Sequence, residues 1–385
     1  MTDDPTTATR RRRFSRGLHS RNPLVLVLAG VLVIPALYGL QTLFSSGAFT
    51  VVPESDLLRT SRDDFFHNTY VVGSLKRHPP TRLPIYIIGG SAARESLISE
   101  SSFAQAVHRA SGVPVQTYVL SNYDQTFGQS LAIVDNLPPG KGIVVLAVNN
   151  NRFHFGPSDI ARQTQGLPLL LESPTLSHFV ANDPASSGIS KRLSRLLLPG
   201  ALPGIMDYLL GYIDSRASAL TSASPLGLAY RPHWITQRTR WSRARKEQGV
   251  QAWIKSRGAA FFKNYAYDAR LLDTLVARAE QRGFKVVLLE ETEDTAVVGH
   301  SFDAFKRIYK PIVRRIAAKY GAPYLDLQPQ LNLPDSAFWD YIHPAEPARV
   351  AWQKVLAAAL KPIVQQARAA SGAAALRLAD AAALR

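Results

Sequence analysis

No cysteine occurs among the 385 residues, which removes disulfide frameworks, thiolate metal sites and cysteine nucleophiles and leaves any covalent chemistry to other side chains. Histidine is sparse as well: the nine copies are scattered, and none stands at ligand spacing from another, so no metal site is suggested and no cofactor is expected. Acidic residues are few, 29 Asp and Glu against 45 Lys and Arg, for a formal charge of +16. What is plentiful is apolar side chain, 46% of the residues, enough for a sizeable α/β core.

The positive charge is concentrated in two stretches. Arg10, Arg11, Arg12, Arg13, Arg16 and Arg21 stand against only Asp3 and Asp4, and residues 188–263 carry thirteen basic residues against three acidic ones. No nucleic-acid-binding module accompanies either stretch, so nucleic acid is not the expected partner. The first basic run is better explained by the apolar segment beside it. Residues 23–43, PLVLVLAGVLVIPALYGLQTL, contain no charge and are long enough to cross a bilayer core as a helix. Arginines on its N-terminal side keep that end in the cytoplasm and send the rest of the chain across. The expectation is a basic cytoplasmic tail (1–22), a single-pass anchor (23–44) in a bacterial inner membrane, a stalk (45–82), and a domain on the periplasmic or extracytoplasmic side. A cleaved signal peptide ending near Ser46-Gly47-Ala48 is the alternative.

Beyond the stalk, short apolar runs alternate with helical patterns, as in a parallel sheet covered by helices on both faces. Strands are predicted at Pro84–Ile88, Val115–Leu120, Ile143–Val148, Lys285–Leu289 and Pro323–Leu327. Helices are predicted at Glu95–Ala110, Gln129–Leu137, Tyr267–Arg282, Asp303–Tyr320 and Pro347–Gln366. Together these make an α/β fold, a flavodoxin-like three-layer sandwich with a five-stranded parallel sheet. Residues 157–262 interrupt the rhythm as a large, mostly helical insertion. Within it, Leu193–Ile213 is apolar but holds two prolines, Arg195 and Asp207, and reads as an interfacial or partner-binding hairpin rather than a second span. A solvated basic face is the other reading of this insertion. The domain ends near 369, and 370–385 form an Ala-rich tail.

Two places carry chemistry. In YIIGGSAARESL a strand ends in Gly89-Gly90-Ser91 and a helix can begin, which sets Ser91 where ligands gather in an open α/β sheet. A plain helix N-cap would also explain a serine there. Far downstream, FWDYIHPAEPARVAWQKVL holds Asp340 and His343 three residues apart, so one helical turn would let the carboxylate orient the imidazole. Such a histidine can take a proton from a serine hydroxyl and return it to a leaving group.

The order of these pieces resembles the SGNH (GDSL-like) hydrolase superfamily, over roughly residues 83–160 and 265–366. Ser91 matches that family's first block, and Asp340 with His343 match its late D-x-x-H. In IVVLAVNNNRF, Asn149 falls at the family's third-block asparagine, with Asn150 and Asn151 as alternatives. The resemblance implies a catalytic triad of Ser91, His343 and Asp340, with an oxyanion hole that includes the Asn149 amide. For the second block, SNYDQTFGQS offers Gly128, with Ser121 or Asn122 as alternative donors. The chain departs from the pattern where Gly90 replaces the aspartate of G-D-S, and where Ala147 and Asn150 replace the glycine and aspartate of G-x-N-D. These departures resemble envelope branches such as alginate O-acetylation proteins and the D-alanine transfer protein of teichoic acid modification, which join a membrane anchor to an SGNH-like domain.

The function so implied is a membrane-anchored serine esterase or O-acyltransferase acting on ester groups, O-acetyl above all, of an envelope or exported polysaccharide. A membrane acyltransferase or polysaccharide synthase complex is the partner expected. Two other classes fit parts of the sequence: a noncatalytic polysaccharide-binding or scaffold subunit, and an esterase of lipids or thioesters at the membrane surface.

Overall fold

The computed structural model describes residues 23–54, 63–163, 171–186, a few positions between 209 and 220, 239–331 and 333–383. The basic tail 1–22 and most of the segment 187–238, including nearly all of Leu193–Ile213, lie outside the described residues. Five parallel strands make one sheet: β1 (Leu83–Ile88), β2 (Val115–Val119), β3 (Gly142–Val148), β4 (Phe284–Glu290) and β5 (Tyr324–Leu325), in the order β2-β1-β3-β4-β5. The predicted strands fall on these positions, and β5 is shorter than its apolar run suggests.

Alternate strand residues serve opposite faces, as a two-residue side-chain period requires. Tyr86, Ile88, Val144, Leu146, Val286 and Leu288 share one buried cluster with α5 (Phe127–Asn136), α8 (Arg243–Gln281) and α10 (Asp303–Tyr320). Ile85, Ile87, Ile143, Val145, Val287 and Leu289 share the other with α4 (Glu100–Ser111) and α11 (Glu346–Ala383). Both faces are therefore buried, which explains the near-continuous apolar strands. The Ala-rich tail continues α11 as far as Ala383.

The segment read as a stalk is partly built into the domain. Within 45–82, α2 (Asp63–Arg77) buries Phe66, Val72 and Leu75. It also holds the end of α1 (Pro23–Ser45). Phe44 stacks on Phe49 with ring centroids 4.7 Å apart, and both pack on Phe66. Lys76 Nζ donates to Ser45 O at 2.8 Å, and Tyr70 donates to Val52 O at 3.1 Å. Among the described residues no helix is long and apolar enough to cross a membrane. The side chains of residues 23–30 lie outside the described residues.

Gly47 is central to this joint. Its φ is +78°, and a Cβ there would stand 2.3 Å from Gly73 O. Gly112 has a similar φ of +74° but open space around it. Gly112→Ala is expected to cost only the left-handed penalty of about 1–2 kcal/mol. Gly47→Ala should cost clearly more in denaturant unfolding and open residues 45–54 to protease, because the backbone of α2 must also move. Equal losses for the two variants would contradict the close-packed joint.

Between β3 and β4, the insertion contributes α6 (Pro157–Gln163), α7 (Pro174–Asn182) and the 39-residue α8. The sequence pattern predicts only the last part of α8 as helix. Its N-terminal half runs beside the D-x-x-H loop: Trp253 packs edge-on to Phe302 and Phe305, and Phe302 meets Tyr341.

Candidate active site

The strand order reverses between β1 and β3, and the crevice at their carboxyl ends is where an open sheet binds ligands. Ser91 follows β1 and Asn149 follows β3, so both border that crevice. Gly89 makes the turn possible: a Cβ on it would lie 2.6 Å from Ala147 Cβ and 2.8 Å from Ala93 Cβ, so no larger residue fits between β1, β3 and the serine-bearing turn. Gly90 is extended, and Ser91 opens the short α3 (Ser91–Glu95).

Ser91 Oγ lies 2.8 Å from His343 Nε2, and His343 Nδ1 lies 2.7 Å from Asp340 Oδ2. All three residues are buried, none more than 6% exposed. Asp340 and His343 meet through a closed loop rather than the single helical turn expected. An antiparallel bridge between Phe338 and Pro344 pins that loop, and Trp339 N donates to His343 O at 2.8 Å. Asp340 Oδ1 accepts from the backbone N–H groups of Ile342 and His343, each at 2.9 Å. Burial pushes the Asp340 carboxyl up, but the His343 hydrogen bond, the His343 charge and these two N–H groups outweigh it and hold the carboxyl down at about 2. A carboxylate fixed in the charged state beside Nδ1 keeps that nitrogen protonated and leaves Nε2 to accept from Ser91.

Of the three consecutive asparagines, Asn149 is the one tied to the serine turn. Its Nδ2 donates to Glu291 Oε2, while Glu291 Oε1 accepts from Gly90 N at 3.1 Å. The Asn149 Oδ1 is buried without a hydrogen-bond partner. Asn150 is buried, and Asn151 belongs to another network: it donates to Asp124 at 2.9 Å and accepts from Trp253 Nε1 at 2.8 Å and Arg257 Nη1 at 2.6 Å.

For Gly128 the structure shows a packing role. It sits in the first turn of α5, and the space for a Cβ faces Ile160 and Leu176 of the apolar core, with Ile160 Cγ2 3.2 Å away. Its small size serves helix packing. The loop after β2 instead presents Ser121, whose Oγ donates to Ile87 O at 3.3 Å, Asn122, and Asp124, whose φ of +48° is the left-handed conformation that a short polar side chain tolerates. Arg257 holds Asp124 there with two bonds, at 2.8 and 3.0 Å. Tyr123 beside it is 60% exposed.

Sequence reasoning missed Glu291 and Arg152. Glu291 follows β4 directly, and register alone could have found it, since Val148 pairs with Glu290 and the next residues of the two strands stand side by side. Burial pushes its carboxyl up, against the Arg152 charge and the Gly90 bond, which pull it down. Arg152 is fully enclosed and donates to the carbonyls of Ala147, Gln125 and Thr126, tying β3 to the loop after β2. Arg94 and Glu95, one turn after Ser91, are buried and pair at 2.9 Å. His154 is driven down to about 4, by burial first and Arg257 second, and its Nδ1 lies 2.8 Å from Asn151 O. Among the described residues no group of three or more acidic or histidine side chains could hold a metal.

The chain matches no protein-family model and no curated protein. The arrangement itself therefore carries the functional argument: a hydroxyl, an imidazole and a carboxylate in one hydrogen-bonded line is suited to acyl transfer through a covalent serine ester.

Proposed function

We propose that this chain is an SGNH-type serine esterase or O-acyltransferase with a flavodoxin-like three-layer core, held at the bacterial inner membrane by α1 with its domain on the extracytoplasmic side. The observation that carries the reading is the aligned contact of Ser91, His343 and Asp340 at the switch point of the sheet. His343 Nε2 takes the Ser91 proton as Oγ bonds to the ester carbonyl carbon. The Asn149 amide and the Ser91 N–H donate to the resulting oxyanion. His343 then returns the proton to the departing alkoxide as the ester bond breaks, which leaves an acyl-serine and a free alcohol. Water or a sugar hydroxyl, deprotonated by His343, resolves the acyl-serine and restores the enzyme.

An envelope or exported polysaccharide is the substrate best suited to a domain carried outside the cytoplasm, with acetyl as the acyl group. The exposed ring of Tyr123, in the loop after β2, is free to stack on a sugar. A membrane acyltransferase or polysaccharide synthase would supply the acyl donor or the acceptor chain. The test is the full chain in detergent with p-nitrophenyl acetate and a fluorophosphonate probe. Hydrolysis together with a single label on Ser91 is expected, and a folded, unlabelled protein would exclude the nucleophile. The full chain is needed because a start at residue 46 removes Phe44 and Ser45 from the joint with α2.

A further inference from the structure

We infer that Glu291 is the positioning residue of this site, supplying from the end of β4 the carboxylate that position 90 lacks. The inference rests on the serine-acyl reading and concerns how that site is kept in register. Gly90 stands where the G-D-S pattern has aspartate, and the space its missing side chain leaves is not empty. A Cβ at Gly90 would stand 3.5 Å from Glu291 Oε1 and 3.8 Å from Glu291 Oε2, ordinary contact distances. The backbone there is extended, at φ −79° and ψ −172°, so position 90 accepts any side chain. Neither the backbone nor the room for a Cβ demands glycine at 90, but a side chain long enough to carry its own carboxylate would run into Glu291.

That carboxylate is enclosed, with Glu291 only 5% exposed, and it bridges the loop after β1 to the loop after β3. One oxygen accepts from Gly90 N, the peptide next to the nucleophile, and the other accepts from Asn149 Nδ2. An amide nitrogen carries two hydrogens. With one committed to Glu291, the Asn149 side chain is fixed as donor toward the serine turn, and the second hydrogen is left for an oxyanion. Arg152 lies close enough to offset the Glu291 charge, and His343 contributes in the same direction. Both Glu291 oxygens are engaged by the Asn149 amide and the Gly90 peptide, so the carboxylate acts on the nucleophile through those two groups.

Moving the carboxylate tests the idea. Glu291→Ala should lower kcat for p-nitrophenyl acetate by about 10²-fold, the scale of losing one oxyanion donor, with KM nearly unchanged. Gly90→Asp alone sets two carboxylates against each other and should also lower kcat. The double variant, Gly90→Asp with Glu291→Ala, places one carboxylate back between the same two loops and should regain roughly tenfold over Glu291→Ala, as restored alignment predicts. Glu291→Gln, which keeps the volume but puts a donor opposite the Asn149 amide, should fall with Glu291→Ala while unfolding at nearly the wild-type temperature. Two results overturn the inference: Glu291→Gln retaining full kcat, or the double variant being no better than Glu291→Ala. A wild-type chain that neither hydrolyses the ester nor takes the fluorophosphonate overturns the serine-acyl reading, and the inference falls with it. A labelled wild type with indifferent Glu291 variants overturns the inference alone.

Discussion

Ser91→Ala is expected to abolish fluorophosphonate labelling and to lower kcat by about 10⁶-fold, and His343→Ala by a similar factor, because residues of one proton-transfer unit are not additive. Asp340→Asn should cost about 10⁴-fold, since an amide in place of the carboxylate favours the wrong imidazole tautomer. The geometry explains the ranking. Ser91 and His343 exchange the proton directly across 2.8 Å, whereas Asp340 acts by holding Nδ1 at 2.7 Å. Asp340 also links the site to stability. Its carboxyl is held at about 2, below the ordinary 3.8, so the folded state binds its proton less readily than the unfolded chain does. The corresponding stability, about 2 kcal/mol by linkage, is present above pH 4 and is lost as the pH falls toward 2. Acid unfolding of Asp340→Asn should lack that component. A wild-type-like acid limb in the variant would contradict the strong His343–Asp340 bond, and a kcat within tenfold of wild type in Ser91→Ala would remove the proposed nucleophile.

Lys246→Met should lower the unfolding free energy by about 3–5 kcal/mol at neutral pH, the scale of breaking a buried ion pair from one side. Lys246 is only 1% exposed, near the start of α8, with Asp294 Oδ2 at 2.9 Å and the Asp335 carbonyl oxygen at 2.7 Å. It also donates to the Asp335 carboxylate. Asp294 is pushed up to about 6, by burial first and Asp335 second, against the pull of Lys246. Without the lysine nothing offsets that burial, so Asp294 must take up a proton or remain as an enclosed charge. A raised carboxyl contributes most below its unfolded value and loses that contribution as the pH climbs through the folded one. The deficit of Lys246→Met should therefore shrink as the pH is lowered toward 5. The same change should reduce turnover, because Asp294 N donates to Tyr341 O at 2.9 Å and Asp335 begins the loop that carries Asp340 and His343. Unchanged stability together with wild-type kcat would show that the loop needs no such fastening.

The strands were legible because a sheet buried on both faces demands unbroken apolar runs, and turn residues mark where those runs stop. That Ser91 meets His343 and Asp340 was legible because strand ends and chain order constrain which distant residues can gather. A glycine after β2 satisfies the oxyanion pattern and a helix-packing contact equally well on paper, and for Gly128 the packing contact is the one the structure shows. The helix α2 stayed hidden because Asn68 and Thr69 are buried along with Phe66 and Val72, which blurs the apolar stripe. The first half of α8 was obscured in the same way: Lys246 sits at a buried position in line with Val250 and Trp253, so a packed helix read as a basic insertion. Glu291 was one acid among 29. Its meaning lies in the pairing of β3 with β4, which no local window contains.

The junction of Gly47 with Gly73, fastened by Lys76 and the Phe44–Phe49 stack, makes the domain a head on a pedestal rather than a ball on a leash. A leashed enzyme sweeps a volume and finds acceptors at many heights. On the proposed reading, with α1 in a bilayer and a polysaccharide as substrate, this head would meet only what arrives at its own level and angle, so its local supply would be set by how a neighbour in the same membrane presents the polymer. Lengthening residues 45–47 by a few glycines would then cut modification of the tethered polymer while sparing small soluble esters.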